Sequence, residues 1–375
     1  MLISQIFKEI SPEIANILRK GQQNEEITSN EALKLLKATG KEFLALQYVA
    51  DQICREKTED IVTFVKNRNI NFTNICTKHC KFCSFNVSKN HPDAFLLSHD
   101  QIREKVMDAK EKGCTEVCIQ GGINPEVDFE FYLEILRTVK KVDSNMHIHA
   151  FSPQEVFYMT SLNGGSLSST LKELKKNGLD SMPGTAAEIL DDNIRKIICP
   201  NKISVSQWIK IIKQAHKIGV PTTSTMMYGH IENLEHRIKH LRILRDIQRE
   251  TNGITEFVPL PFVKENPKLS KLKKHPLIPS YGMADLKLYS VARVFLNNFR
   301  NIQTSWVKLG PKFAQVSLNY GVNDFSGTLM EENISRSAGG EFGQYLSSDE
   351  IVKIIKLAGK RPAERSTTYG ILRYY

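Results

Sequence analysis

The sequence lacks any long uncharged apolar run. Its first segment, Met1–Ile10, is apolar in part but includes Lys8 and Glu9, so it has no uncharged core of the kind found in signal peptides. No other apolar segment approaches the roughly 20 residues that a membrane-spanning helix needs. We therefore expect no membrane partner and a cytoplasmic location.

The cysteines are poorly placed for two common kinds of site. The chain has 375 residues and 7 cysteines, an odd number, whereas disulfide frameworks belong to short secreted chains. A zinc ribbon needs a second close pair that matches Cys80 and Cys83 in spacing. Cys114 and Cys118 are spaced differently and flank a strand-like run, which is typical of buried small side chains.

Positive charge is in excess, but it is not organised for nucleic acid. The formal net charge is +10, and most of the excess is spread over the polar faces of predicted helices. The densest basic run, Lys264–His275, contains a proline and no Phe, Tyr or Trp, so it lacks rings on which bases could stack. We interpret this run as a solvated loop and expect no nucleic-acid partner.

The chain does contain a compact group of three cysteines. Cys76, Cys80 and Cys83 lie in a short loop that directly follows the alternating run Ile70–Ile75. Three thiolates can bind three of the four irons of a 4Fe–4S cluster, whose fourth iron then stays open to a small molecule. Because a structural site normally closes its coordination sphere, the spacing predicts a reactive iron–sulfur centre.

Short β-rich runs alternate with amphipathic helical segments from residue 70 onward. The candidate strands are Ile70–Ile75, Glu116–Gln120, Met146–Phe151, Gly178–Met182, Pro221–Tyr228, Glu256–Phe262, Asn301–Trp306 and Gly321–Phe325. Such alternation predicts parallel βα units, and eight units close a barrel. We predict an α/β fold of the (βα)8 TIM-barrel type over 67–345, with a helical extension over 1–66 and a final helix and short tail over 346–375. Catalysis in such barrels takes place at the carboxyl ends of the strands, where the cysteine loop lies.

Two groups near the predicted strand ends could bind a cofactor. Gln120, Gly121 and Gly122 follow the second strand, and the glycines let the backbone approach a ligand; a plain tight turn is the alternative. Glu188 lies past the fourth strand, and Arg195 lies two helical turns further on. A carboxylate suits hydroxyls or an ammonium, and an arginine suits a carboxylate, although such a pair could also be a surface ion pair.

Polar residues on three other strands are candidates for substrate binding. His147 and His149 alternate on the third strand, so their side chains point to one face; a metal site there would need a third ligand. The candidates at the ends of the fifth and eighth strands are Tyr228, His230, Glu232, Asn323, Asp324 and Thr328. Together these groups suit a ligand rich in hydroxyls and amides, and hydrophilic loops are the alternative.

The cysteine spacing resembles the signature of the radical S-adenosylmethionine (SAM) enzymes. The resemblance implies a 4Fe–4S cluster on Cys76, Cys80 and Cys83 whose open iron chelates SAM. Reduction of that cluster would cleave SAM and produce a 5′-deoxyadenosyl radical. The resemblance also implies that the segment Gln120–Gly122 holds the SAM amino group, and that Glu188 and Arg195 contact the ribose and the carboxylate.

Further motifs resemble one small subgroup of that family. They are Asn71–Cys76, His149–Ser152, Gly178–Gly184, Met226–His230, Glu256–Phe262 and Ser305–Gly310. The subgroup contains the tyrosine-using, CofH-type subunit of FO synthase and the aminofutalosine synthase of menaquinone biosynthesis. The segments Gly184–Asp192 and Ile198–Lys202 are more similar to the FO synthase subunit.

This narrower resemblance implies a reaction and its partners. The substrates would be L-tyrosine and 5-amino-6-(D-ribitylamino)uracil, and the 4-hydroxybenzyl group of tyrosine would move to C5 of the uracil, a step in deazaflavin (coenzyme F0 and F-420) biosynthesis. A separate radical SAM subunit, of the CofG type, would close the deazaflavin ring. Aminofutalosine synthesis is the alternative within the subgroup. A non-catalytic metal-binding or nucleic-acid-binding module is the alternative from another class.

Overall fold

Parallel strands form the centre of the structure. The computed structural model describes residues 5–265, 267–272, 277–278 and 280–375. The strands are β1 (Ile61–Val65), β2 (Asn67–Asn71), β3 (Glu116–Gln120), β4 (His147–Ala150), β5 (Thr222–Tyr228), β6 (Ile254–Pro261), β7 (Asp324–Gly327), β8 (Arg361–Arg365) and β9 (Ile371–Tyr374). Parallel pairing joins β2 to β3, β3 to β4, β5 to β6 and β7 to β1.

Isolated bridges close these strands into a ring. The bridges are His149–Ser181, Met182–Thr222, Phe257–Ile302 and Gln303–Asp324. The first two join β4 to β5, and the last two join β6 to β7. Since only Lys66 separates β1 from β2, the pairing returns to its starting strand, and the predicted (βα)8 barrel is confirmed. We call the carboxyl ends of the strands the upper end of the barrel and the amino ends the lower end.

Helices occupy most of the connections between these strands. They are α1 (Pro12–Gln22), α2 (Ser29–Lys37), α3 (Gly40–Thr58), α4 (His99–Glu111), α5 (Phe129–Val142), α6 (Pro153–Asn163), α7 (Leu167–Lys176), α8 (Asp192–Ile198), α9 (Val205–Lys217), α10 (Leu234–Thr251), α11 (Gly282–Phe295), α12 (Trp306–Leu309), α13 (Pro311–Ser317), α14 (Asn333–Ser337) and α15 (Ser348–Leu357). A capping box begins α4, where Gln101 N–H donates to Ser98 Oγ over 3.2 Å and Ser98 N–H donates to Gln101 Oε1 over 2.9 Å. Such caps satisfy N–H groups that have no partner within the helix.

Several predicted strands have other bounds in the structure. The first was expected at Ile70–Ile75, but β2 ends at Asn71 and only single bridges at Thr73 and Ile75 continue it. The predicted fourth and seventh strands shrink to isolated bridges, and the eighth lies slightly later, as β7. Because these strands are short, each forms few hydrogen bonds with its neighbours. The residues at which a strand begins and ends therefore depend on neighbouring strands that are distant in the sequence.

The division of the chain into 1–66, 67–345 and 346–375 stays a prediction, but two details within it are wrong. The expected helical extension ends in a strand, β1. The expected tail contains two strands: β8 pairs in parallel with β1, and β9 pairs antiparallel with β8. The sequence of β8 (RPAER) has no apolar alternation, so periodicity does not reveal it.

Two features of the structure bear on the expectations of no membrane partner and no nucleic-acid partner. In the described chain, no helix is long and apolar enough to cross a membrane. Within the basic run Lys264–His275, a short 3-10 helix spans Lys268–Lys271. Asn266 and residues 273–275 of that run lie outside the described residues.

Candidate functional site

A cavity of about 250 Å³ lies at the upper end of the barrel. Gln120, the last residue of β3, and Pro261, the last residue of β6, are both in its wall. The sequence-predicted site residues that line it are Cys76, Cys80, Cys83, Gln120, Gly121, Gly122 and Glu188. The structure thus brings the three cysteines, the glycine turn and one predicted carboxylate to one place. Their individual roles stay predictions.

Bonds from distant segments fix the cysteine loop. Cys76 N–H donates to the carbonyl of Val87 over 3.1 Å. Lys81 N–H donates to the carbonyl of Ile198 over 2.8 Å. The loop is therefore held both by the residues that follow it and by the end of α8, more than 100 residues away in the sequence.

The three thiols in the cavity wall are a donor set that suits a 4Fe–4S cluster. None of them is in a disulfide. In the part of the chain that the structure describes, no three His, Cys, Asp or Glu side chains converge enough to bind one ion. Burial raises the pKa of the Cys80 thiol, and nearby Lys202 opposes the shift. A bound iron would stabilise the thiolate in place of its proton.

Glycine is required next to the cysteine loop because two backbone segments almost touch there. A Cβ at Gly122 would lie 2.8 Å from the Ile75 carbonyl carbon and 2.9 Å from Cys76 Cβ. A Cβ at Gly121 would lie 2.5 Å from the Phe72 ring. Gly122 N–H donates to the Thr73 carbonyl over 2.9 Å, so the turn after β3 and the chain leading to the cysteines are held together.

A carboxylate that the sequence interpretation missed holds the same turn. Glu155, near the start of α6, accepts a bond from Gly121 N–H over 3.0 Å and from the Ser152 backbone N–H over 2.7 Å. It lines the cavity. Burial raises its pKa to about 7, although these bonds act to lower it. Glu155 therefore positions the glycine turn, and it can change protonation near neutral pH.

Glu188 lies in the cavity wall as half of an ion pair. Its Oε1 is 2.5 Å from Lys202 Nζ, and both side chains are mostly buried. Its backbone lies in the left-handed region, with a φ of 50°, which is uncommon for a residue other than glycine. Met227 N–H donates to the Glu188 carbonyl over 2.7 Å and helps to hold that conformation.

Arg195 does not line the cavity. It is buried, and its guanidinium donates to the carbonyls of Ala186, Ala187 and Ile203 over 3.1, 2.5 and 2.6 Å. These bonds occupy Nη1 and Nη2, which differs from the predicted contact with a ligand carboxylate, and Nε is buried without a partner in the described chain. Arg195 instead fixes the loop that carries Glu188.

The predicted histidines of β4 lie in the barrel below the cavity. His147 Nε2 and His149 Nδ1 are each 2.7 Å from Ser181 Oγ. Burial lowers the pKa of His149 to about 4, so it is neutral at physiological pH. Neither residue is in the cavity wall, and both bond to the protein rather than face open space.

The predicted residues after β5 form the turn that ends this strand. Glu232 accepts from the N–H groups of Gly229 and His230 over 2.7 and 2.9 Å, and from Arg237 Nε over 2.8 Å. His230 is fully buried, and Tyr228 is buried with the Arg237 guanidinium 5.2 Å from its ring centroid. None of the three predicted residues lines the cavity.

The predicted residues near β7 bond to neighbouring parts of the barrel. Asn323 Oδ1 accepts from Arg293 Nη2 over 2.7 Å. Thr328 Oγ1 donates to the Asn67 carbonyl over 2.8 Å. Asp324 is paired with Arg365 of β8, with Nη2 and Oδ1 3.1 Å apart. These side chains stabilise the closure of the ring, which differs from the predicted substrate contacts.

Several residues of the cavity wall were not among the site residues predicted from the sequence. They are Ser152, Gln154, Glu155, Lys202, Lys308 and the aromatic residues Phe82, Phe85 and Phe262. The segment from Ser152 to Glu155 follows β4 directly, so its position after a strand was a usable signal. Lys308 lies on the short helix α12, two residues after the predicted seventh strand and within the motif Ser305–Gly310, but nothing in the sequence singles it out as a site residue.

A second cavity, of about 590 Å³, lies at the lower end of the barrel. Its wall includes Thr63 of β1 and Tyr369, which precedes β9. It contains no cysteine. The larger volume therefore does not coincide with the predicted iron site.

Comparison with known proteins agrees with this arrangement. Residues 70–244 match the Radical SAM superfamily, and residues 251–374 match the CofH/MqnC C-terminal region. A 5-amino-6-(D-ribitylamino)uracil–L-tyrosine 4-hydroxyphenyl transferase from Archaeoglobus fulgidus is 52% identical over 325 residues, which cover 86% of this chain and 92% of that protein. The protein of the same name from Methanocaldococcus jannaschii is 50% identical over 354 residues, covering 93% and 98%.

Solved structures with similar folds are more distant in sequence. The FeFe-hydrogenase maturase HydG from Carboxydothermus hydrogenoformans superposes with a TM-score of 0.73 at 15% identity, covering 98% of this chain and 83% of its own. Methylornithine synthase (PylB) superposes with a TM-score of 0.72 at 19% identity, covering 92% and 97%. At these identities the likeness concerns the fold alone.

Proposed function

Because the chain belongs to the radical SAM superfamily and, within it, to the family of the 5-amino-6-(D-ribitylamino)uracil–L-tyrosine 4-hydroxyphenyl transferases, we propose that it catalyses this transfer. The 4-hydroxybenzyl group of L-tyrosine moves to C5 of the ribitylaminouracil, a step in deazaflavin biosynthesis. The observation that carries the proposal is the upper cavity, where Cys76, Cys80 and Cys83 face the glycine turn.

The cofactors are a 4Fe–4S cluster and SAM. Cys76, Cys80 and Cys83 would hold three irons, and SAM would bind the fourth. When bound, this pair supplies the means to remove a hydrogen atom from the tyrosine amine. The Cα–Cβ bond of tyrosine then breaks, 2-iminoacetate leaves, and the hydroxybenzyl group joins the uracil.

The residues of the chain bind and shield the reactants. Gly121 and Gly122 let backbone approach the ligand beside Cys76, and Glu155 holds the Gly121 N–H in place. The walls are largely apolar, with Phe82 and Phe262 among them. Apolar walls exclude water and so limit side reactions of a reactive intermediate.

The proposal extends to a partner protein and to a location in the cell. The reaction leaves the deazaflavin ring open, so a second radical SAM subunit must close it; a separate CofG-type protein is the proposed partner. A cytoplasmic location also stays a prediction.

Product analysis tests the proposal. The protein is reconstituted anaerobically with iron and sulfide, reduced, and given SAM and tyrosine with either the ribitylaminouracil or 3-[(1-carboxyvinyl)oxy]benzoate. We expect 5′-deoxyadenosine, 2-iminoacetate and a hydroxybenzyl adduct only in the reaction that contains the ribitylaminouracil. Turnover of the benzoate instead would assign the chain to aminofutalosine synthesis. A zinc-loaded protein without charge-transfer absorption would support a non-catalytic module.

A further inference from the structure

Some charged side chains in the wall of the upper cavity have hydrogen-bond or ion-pair partners, and others do not. They are Lys78, Glu155, Glu188, Lys202 and Lys308. Glu188 and Lys202 pair with each other. Glu155 accepts bonds from the backbone and from Ser152, and its raised pKa favours the neutral acid. Two lysines remain to be explained.

Lys308 is held in the wall by a rigid support. It lies on α12, two residues after the fully buried Trp306. Trp306 Nε1 donates to the Gly327 carbonyl over 2.8 Å, and Lys308 N–H donates to the Ser305 carbonyl over 3.1 Å. The backbone of Lys308 is therefore fixed against β7, and only its flexible side chain reaches the cavity.

The Lys308 ammonium has no partner among the described residues: neither a hydrogen bond nor an ion pair involves its Nζ there. Burial lowers its pKa, and the negative charges of Glu332, Cys83 and Glu188 act against this shift without a direct bond. A half-buried ammonium with no bonded partner is costly. Such a group in a cavity wall is an anion site that a ligand completes.

The proposed reaction brings one free carboxylate into the cavity. SAM would use its own carboxylate on the open iron, and the ribitylaminouracil carries no acidic group. Tyrosine has a carboxylate, and the leaving 2-iminoacetate retains it. Building on the proposed function, we infer that Lys308 binds the carboxylate of L-tyrosine and so determines that the substrate is the amino acid rather than its amine.

Lys78 is the competing candidate. It lies between Cys76 and Cys80 in the cysteine loop, and its side chain also has no bonded partner in the described chain. Because its position is tied to the cluster ligands, its replacement should disturb SAM and cluster together. Lys308 lies on a separate element, so its replacement should affect tyrosine alone.

The test compares L-tyrosine with tyramine, which lacks the carboxylate. Binding to the reconstituted protein with SAM is measured by anaerobic equilibrium dialysis, for the wild type and for Lys308→Met, Lys308→Arg and Lys78→Met. We expect Lys308→Met to weaken tyrosine binding by about 10- to 100-fold, the contribution of one charge-assisted hydrogen bond, and to leave tyramine binding unchanged. Lys308→Arg should restore part of the tyrosine affinity. The KM for tyrosine should rise while the KM for SAM stays constant.

The controls separate a specific effect from damage to the fold. Lys312→Met removes an exposed lysine from α13 and should match the wild type. Iron content and the cluster absorption should be equal in the wild type and Lys308→Met. The inference is overturned if Lys308→Met weakens tyrosine and tyramine equally, or if Lys78→Met alone abolishes the preference for tyrosine. If the wild type itself neither binds nor consumes tyrosine, the proposed function fails instead.

Discussion

The two ends of the barrel are both rich in polar side chains, but they differ in how those side chains are bonded. At the lower end, Glu116 Oε1 accepts from Asn67 Nδ2 over 2.9 Å, and its Oε2 accepts from Thr367 Oγ1 over 2.6 Å. At the upper end, three thiols and the Lys308 ammonium face a cavity. A buried polar side chain therefore does not by itself indicate a binding site. Polar groups that face a cavity without a bonding partner do indicate one.

The strands missed in the tail explain why the buried polar side chains at the lower end have bonding partners. Arg365, on β8, pairs with Asp324, and Tyr369 bonds to Glu256, which also accepts from Gln303 Nε2 over 2.9 Å. Burial raises the pKa of Glu256 to about 7, although Arg365 opposes the shift. The chain end thus bonds to polar groups of the barrel interior from below, beside the lower cavity.

The largest effect expected at the upper end comes from the cysteines. Alanine at Cys76, Cys80 or Cys83 should remove the cluster, and with it all tyrosine-dependent product, because each thiolate supplies one of three iron bonds. Iron analysis and absorption spectra measure the cluster. Cys114→Ala removes a buried thiol near Met330, outside the cavity wall, and should retain both. Full activity in any one of the three variants would refute the cluster assignment.

The glycine turn should be the next most sensitive feature. A Cβ at position 122 overlaps the Ile75 carbonyl and Cys76, so Gly122→Ala must displace the cysteine loop. A misplacement near 1 Å costs about 100-fold in rate. Gly282→Ala is the matched control, since its Cβ would be 3.4 Å from the Phe313 ring, an ordinary contact. Equal turnover in Gly122→Ala and Gly282→Ala would show that the close approach is unimportant.

At the lower end, the expected effect is on stability. Arg365→Met leaves Asp324 and Glu256 as uncompensated buried carboxylates, which should lower the free energy of unfolding by about 3–5 kcal/mol. Denaturant midpoints measure the change. Arg361→Met, which removes an exposed arginine from the same strand, should have little effect. A raised tyrosine KM in Arg365→Met, at unchanged stability, would instead place substrate at the lower end.

The smallest expected effect concerns the pH dependence of stability. Glu155 has a folded-state pKa of about 7 against an ordinary 4.5, so the folded protein retains a proton that the unfolded chain releases between these values. Stability should therefore fall as pH rises from 4.5 to 7, by about 1–3 kcal/mol for this group. Unfolding midpoints of Glu155→Gln should lack this component. Parallel curves for the two proteins would contradict the shifted pKa.

The barrel and the cysteine loop were predictable from the sequence because their signals are local. Alternating strands and helices have recognisable periodicity, and Cys76, Cys80 and Cys83 lie within one loop. Gly121, Gly122 and Glu188 were also placed near the cavity, since each follows a strand. Position after a strand was therefore informative, as in other barrels of this type.

The polar residues that differ from prediction are bonded to partners that no local sequence pattern reveals. Asp324 meets Arg365 only because β8 pairs with β1, and Arg195 is occupied by carbonyls of a loop that folds back over it. A sequence shows that such side chains are polar but does not show whether a partner satisfies them. Lys308 was missed for the converse reason. Nothing near it in the sequence indicates that its ammonium has no bonding partner in the described chain.

The most direct measurement is an anaerobic crystal structure of the reconstituted protein with SAM and L-tyrosine. Our account predicts the cluster on Cys76, Cys80 and Cys83, and tyrosine beside it in the upper cavity with its carboxylate within hydrogen-bond distance of Lys308 Nζ. Tyrosine bound in the lower cavity near Tyr369, or a metal held away from the three cysteines, would contradict it.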